Sequence, residues 1–104
     1  MKTLPSTPPV ARPERPSTAV VHDEPNFRVI AFHLLPGQSI PPHHNRSTVM
    51  VQVISGSGTV HGDEGGVELR AGEAAVFRPG ETHGIDAGGE ALRFIALVAP
   101  RPGG

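Results

Sequence analysis

The chain has 104 residues, nine basic against ten acidic and a net charge of -1, which leaves room for one hydrophobic core and not for two. Neither sign of charge forms a block, which argues against nucleic acid and anionic membrane surfaces as partners. With no cysteine, disulfides, iron–sulfur clusters, thiolate zinc sites and thiol nucleophiles drop out together, and any metal must be held by nitrogen and oxygen.

The opening stretch, MKTLPSTPPV, lacks the apolar core of a secretion signal, and no segment approaches the roughly 20 apolar residues of a membrane span. A cytoplasmic protein is the expectation. Five of the twelve prolines, Pro5, Pro8, Pro9, Pro13 and Pro16, fall early in the chain. Proline has no N–H to give a helix or a central strand, so residues 1–25 read as an extended arm or linker, with a disordered tail as the plainer alternative, ahead of a domain at 26–104.

From Arg28 the texture changes to short apolar runs: Arg28 to Leu35, Thr48 to Ile54, Gly58 to His61, Val67 to Leu69, Ala74 to Arg78 and Ala91 to Val98. Turn chemistry separates them, at Pro36-Gly37, Gly56-Ser57-Gly58, Gly62 to Gly66, Pro79-Gly80 and Gly88-Gly89. Val49, Val51 and Val53 share one face of their run while Met50 and Gln52 share the other, the pattern of a strand buried on one side and partly covered on the other. No amphipathic helix competes, so the expectation is an all-β barrel or sandwich, a form that also removes exposed sheet edges.

Chemistry concentrates in the histidines. His43 and His44 follow Pro41-Pro42 just before a strand, and His83 follows the turn at Pro79-Gly80. Neutral imidazole is the commonest metal ligand and suits Zn, Cu, Fe, Ni or Mn, so histidines converging from two neighbouring strands point to a metal site. His33 and His61 lie inside strand runs and read as solvated or hydrogen-bonded strand residues, and His22 as exposed. Arg46 and Arg78 flank the histidines. They either fork onto an anionic substrate at the barrel mouth or are solvated rim charges. Phe32, Phe77 and Phe94 read as core, with pocket lining as the second reading.

Two stretches resemble a known family, the cupins. Gly37-QSIPP-His43-His44-Asn45-RST-Val49-MVQVIS-Gly56 is similar to the first cupin motif, and Gly72-EAAVF-Arg78-Pro79-Gly80-ET-His83-GID-Ala87 to the second. The resemblance, over residues 28–98, implies a double-stranded β-helix (jelly-roll) barrel. It also implies metal ligation by His43 and His83, the two positions where the family's ligands are kept. Asn45 stands where the motif has its second histidine, Val49 where it has a glutamate, Arg78 where it has a proline and Ala87 where it has an asparagine.

The third ligand stays open at this point. Asn45, at i+2 from His43, shares its side of a regular strand, whereas a strand distorted by Pro41-Pro42 would turn His44 inward instead. Without the carboxylate the divalent metal favoured is Zn, Ni or Cu, with Fe or Mn as the other candidates, and a metal-free pocket is the alternative. Val49 and Phe77, with Arg46 and Arg78, would line the substrate pocket. Cupins run isomerase, dioxygenase, decarboxylase and lyase reactions, and some only bind, so the resemblance implies a small-molecule ligand without selecting a reaction. A homodimer is expected, because a barrel this small gains stability by burying a further face.

Overall fold

The computed structural model describes residues 1–4 and 9–102 of the chain; Pro5 and Pro8 of the proline-rich stretch lie outside them. Nine strands and no helix make up the regular structure of these residues: β1 (Ser17–Glu24), β2 (Phe27–Leu34), β3 (Ser39–His43), β4 (Thr48–Ser55), β5 (Ser57–Gly62), β6 (Gly65–Arg70), β7 (Ala74–Phe77), β8 (His83–Ala87) and β9 (Leu92–Ala99). They form two antiparallel sheets, one ordered β1-β2-β9-β4-β7 and the other β3-β8-β5-β6. The result is a jelly-roll, or double-stranded β-helix, with a single core between the sheets. Among the described residues no helix is long and apolar enough to cross a membrane.

Alternation decides what is inside. In β4 the buried residues are Val49, Val51 and Val53, and in β9 they are Leu92, Phe94, Ala96 and Val98. The two strands pair with Val51 opposite Ala96 and Val53 opposite Phe94, so each inward residue meets another inward residue. Val60, Leu69 and Ile85 close the core from the second sheet. Leu34, Leu92 and Val53 are the most completely buried large side chains, each contributing about 1.5–3 kcal/mol by leaving water.

The strands that the sequence reading leaves out have physical reasons for being hidden. β1 lies within the stretch read as an arm, residues 1–25, so the sheet begins at Ser17, before the expected domain boundary. As an edge strand paired only with β2, it tolerates the prolines just before it. The preceding arm docks on the same sheet end: the His33 ring bonds the Pro9 carbonyl at 3.0 Å, and the Gln38 amide donates to the Arg12 carbonyl at 2.7 Å.

β3 contains Pro41 and Pro42, which sit on an edge strand where the ladder slips between Ile40 and His43. Its partner β8 contains Gly84, a turn-like residue in sequence. A Cβ there would stand 3.0–3.1 Å from the Pro42 nitrogen and the Ile40 carbonyl, so close approach of the proline-bearing strand demands glycine. Gly56, at the β4–β5 turn, is needed twice over. Its φ is +77°, and a Cβ would sit 2.0 Å from the Ala91 carbonyl oxygen.

Candidate functional site

His43 ends β3 and His83 begins β8, and the two are direct cross-strand partners. Opposed residues of an antiparallel pair put their side chains on one face, about 4.5–5.5 Å apart at Cβ. The rings accordingly meet at 4.2 Å between centroids with planes at 62°. Phe77, inward from the end of β7, lies 5.3 Å from the His83 ring.

Turns hold this pair in place. The Gly80 N–H donates to the Asn45 carbonyl at 2.7 Å, stitching the β7–β8 turn to the β3–β4 turn. Asn45 in turn accepts the Ser47 N–H on its side-chain oxygen at 2.9 Å, an Asx turn that fixes its amide. Glu81 closes the other turn by accepting the Arg78 N–H at 3.0 Å.

The hydrogen bonds also set the tautomers. His43 Nδ1 lies 3.1 Å from the Pro41 carbonyl and His83 Nδ1 lies 3.3 Å from the Glu81 carbonyl. A carbonyl only accepts, so each ring donates from Nδ1 and keeps a lone pair on Nε2. Burial lowers the His83 pKa below the ordinary imidazole value of 6.5, against the bond to Glu81, and the neighbouring His43 pushes it the same way. The neutral ring is the form that ligates metal or accepts a proton donor.

Behind the histidines is an apolar cavity of about 140 Å3. His43, His83, Asn45, Val49 and Phe77 all line it. His44 does not line it and is exposed. The expectation that Arg46 and Arg78 line the substrate pocket needs correction: both are exposed and neither borders the cavity. Arg78 follows the inward Phe77, so period-2 alternation sends it out. Arg46 lies in the turn after Asn45.

His61 stands apart, its Nε2 bonded to Asp86 at 2.6 Å on a partly exposed surface, and His33 and His22 are taken up by the arm carbonyl and by Glu24. Among the described residues no three His, Asp or Glu side chains gather into a metal-holding group. A metal here would have two imidazoles and, as a third donor, the Asn45 amide oxygen, which already accepts the Ser47 N–H, with further positions left to solvent or ligand. The donor set fits Zn, Ni or Cu as an open site, and two nitrogens sharing such an ion at about 2.1 Å each stand at most about 4.2 Å apart. Sequence reasoning had no signal for the backbone anchors on Nδ1.

The chain matches the Cupin domain family over residues 31–98. It is similar to a solved protein, TT1209 from Thermus thermophilus, at 27% identity over 88% of this chain and 89% of that one, with a TM-score of 0.83. A conserved protein with a double-stranded β-helix domain from Klebsiella pneumoniae is 33% identical over 89% of this chain and 84% of that one, with a TM-score of 0.80. An RmlC-like cupin protein from Desulfovibrio desulfuricans is 24% identical over 85% of each chain, with a TM-score of 0.78, a likeness of fold. No curated protein matches the chain.

Proposed function

The chain belongs to the Cupin domain family, and from that premise we propose that it is a small-molecule-binding cupin whose polar end takes a divalent transition metal. His43 and His83 would hold the ion through Nε2, with Asn45 as a weaker oxygen donor. Zinc, nickel or copper suits this nitrogen-rich set better than iron or manganese. When bound, the ion would act as a Lewis acid toward a ligand in the cavity. The chain's own residues do the rest: the Pro41 and Glu81 carbonyls orient the rings, and the apolar walls and Asn45 shape the cavity.

One observation carries this reading. Both Nδ1 atoms are anchored on main-chain carbonyls, so two lone pairs on facing rings are left unclaimed, which is the support that metal-ligating histidines use elsewhere. The metal-free alternative has its own support in Val49, 4% exposed where the motif has a glutamate. Calorimetric titration of untagged protein with zinc decides between them. One ion per chain, lost in His83→Ala, is expected; wild type and His83→Ala behaving alike would leave the metal-free binding module.

A homodimer belongs to the same proposal. Met50, Ile95 and Leu97 alternate with the inward residues of β4 and β9 and so face outward, with the exposed Val76 beside Met50 in the ladder. An apolar sheet face of this kind is what a second copy covers. Sedimentation at tens of micromolar should give a dimer, and a monomer there would remove this part.

A further inference from the structure

We infer that the ligand of the cavity is a neutral, single-ring molecule carrying one hydroxyl or N–H donor, of the phenol or azole class, rather than a carboxylate or a phosphate. This deepens the proposed function. It rests on the cavity being the ligand site and applies to the metal-free protein, in which the Nε2 lone pairs of His43 and His83 are not taken by an ion.

Three observations carry it. The first is charge. Among the described residues no Lys, Arg, Asp or Glu lines the cavity, and the polar side chains that do are His43, Asn45 and His83. The two arginines that would have answered an anion stand outside it. An anion moved here would lose its water and meet no guanidinium, a cost that an apolar wall does not return.

The second is size and shape. About 140 Å3 is close to the roughly 150 Å3 of an engineered apolar cavity that takes benzene. Phe32 and Phe94 stack across β2 and β9 with centroids 4.5 Å apart and planes within 7°. Both line the cavity together with Ile30, Val51 and Ala96, an aromatic and aliphatic lining that offers ring contacts to a planar ligand.

The third is hydrogen-bond direction. Since His43 and His83 each spend their one N–H on a main-chain carbonyl, their Nε2 atoms can only accept. Asn45 accepts the Ser47 N–H on its oxygen, so its NH2 is left to donate. A hydroxyl on the ring answers two of these three groups, donating its one proton to one imidazole and accepting from the amide. A carbonyl or ether head offers the imidazoles no donor at all.

The test uses the full chain, stripped of metal with a chelator, titrated calorimetrically with phenol, toluene and benzoate. Phenol is expected to bind in the sub-millimolar range. Toluene, matched in size but without the donor, should bind roughly tenfold more weakly, and benzoate not measurably. Ala96→Leu, which fills much of the cavity, should abolish phenol binding while keeping a cooperative thermal melt. Benzoate binding as tightly as phenol, toluene equalling phenol, or no phenol binding at all would each overturn the inference on the wild-type protein alone. Phenol binding without zinc binding would remove the metal and keep the ligand class; zinc binding without phenol binding would do the reverse.

Discussion

His83 and His61 sit on neighbouring strands of one sheet and have opposite fates. His83 begins β8 facing inward, 8% exposed, with Nδ1 on a backbone carbonyl and Nε2 unclaimed. His61, on β5 opposite Gly84, faces outward and gives Nε2 to the Asp86 carboxylate. Because a carboxylate and a carbonyl both accept, the two rings carry their proton on different nitrogens. Face and partner, rather than residue type, separate an available imidazole from one already satisfied.

The sharpest way to break that comparison is to remove each ring in turn. His83→Ala should weaken zinc binding by at least roughly 100-fold, since outer partners alone commonly account for 10–100-fold. His61→Ala should leave it within about twofold. Equal losses measured by calorimetry would mean that the inward face confers nothing.

Restoring the carboxylate comes next. Val49→Glu puts an acid on the cavity wall beside Phe77, so zinc should bind roughly tenfold or more tightly. The same substitution should cost the metal-free protein about 1–3 kcal/mol, read from denaturant melts, because an unpaired carboxyl is buried.

Proton linkage separates the two sites by pH. The His83 pKa is lowered mainly by burial, so below pH 6.5 the unfolded chain takes up a proton that the folded chain refuses. Stability contributed this way is intact above 6.5 and falls as pH drops toward the folded value. Thermal melts of metal-free wild type between pH 7.5 and 5 should show that decline, and His83→Ala should flatten it. Asp86 has its pKa lowered from 3.8, first by the Ser39 hydrogen bond and then by that from His61. Its contribution is present above 3.8 and is lost as pH falls through the folded value, a window distinct from that of His83. Asp86→Asn is the mildest change: it should shift stability by no more than about 1 kcal/mol at neutral pH, as partly exposed pairs do, and leave zinc binding untouched.

Six of the nine strands were legible as apolar runs because their inward residues are Val, Leu, Ile and Phe at period 2. β3 and β8 were not, and they are each other's partners. Pro41-Pro42 and Gly84 look like breakers, yet the proline edge and the glycine that admits it are one packing solution. β1 was masked by the prolines before it. At the site, motif spacing brought His43 and His83 forward, and the ladder shows why, since the two residues are directly opposed. Spacing left Asn45 and His44 undivided, because the choice depends on a turn held by Gly80 and Ser47. It also gave the arginines a role that strand alternation denies to Arg78.

The central claim, that His43 and His83 offer unclaimed Nε2 atoms to the cavity while His61 does not, is read most directly from nitrogen-15 NMR of the histidine rings in metal-free protein at pH 7.5. His43 and His83 should show Nδ1–H tautomers, and His61 the Nε2–H tautomer. Adding one equivalent of zinc should then move the Nε2 resonances of His43 and His83 alone. An Nε2–H tautomer at His83, or a zinc response centred on His61, would contradict the account.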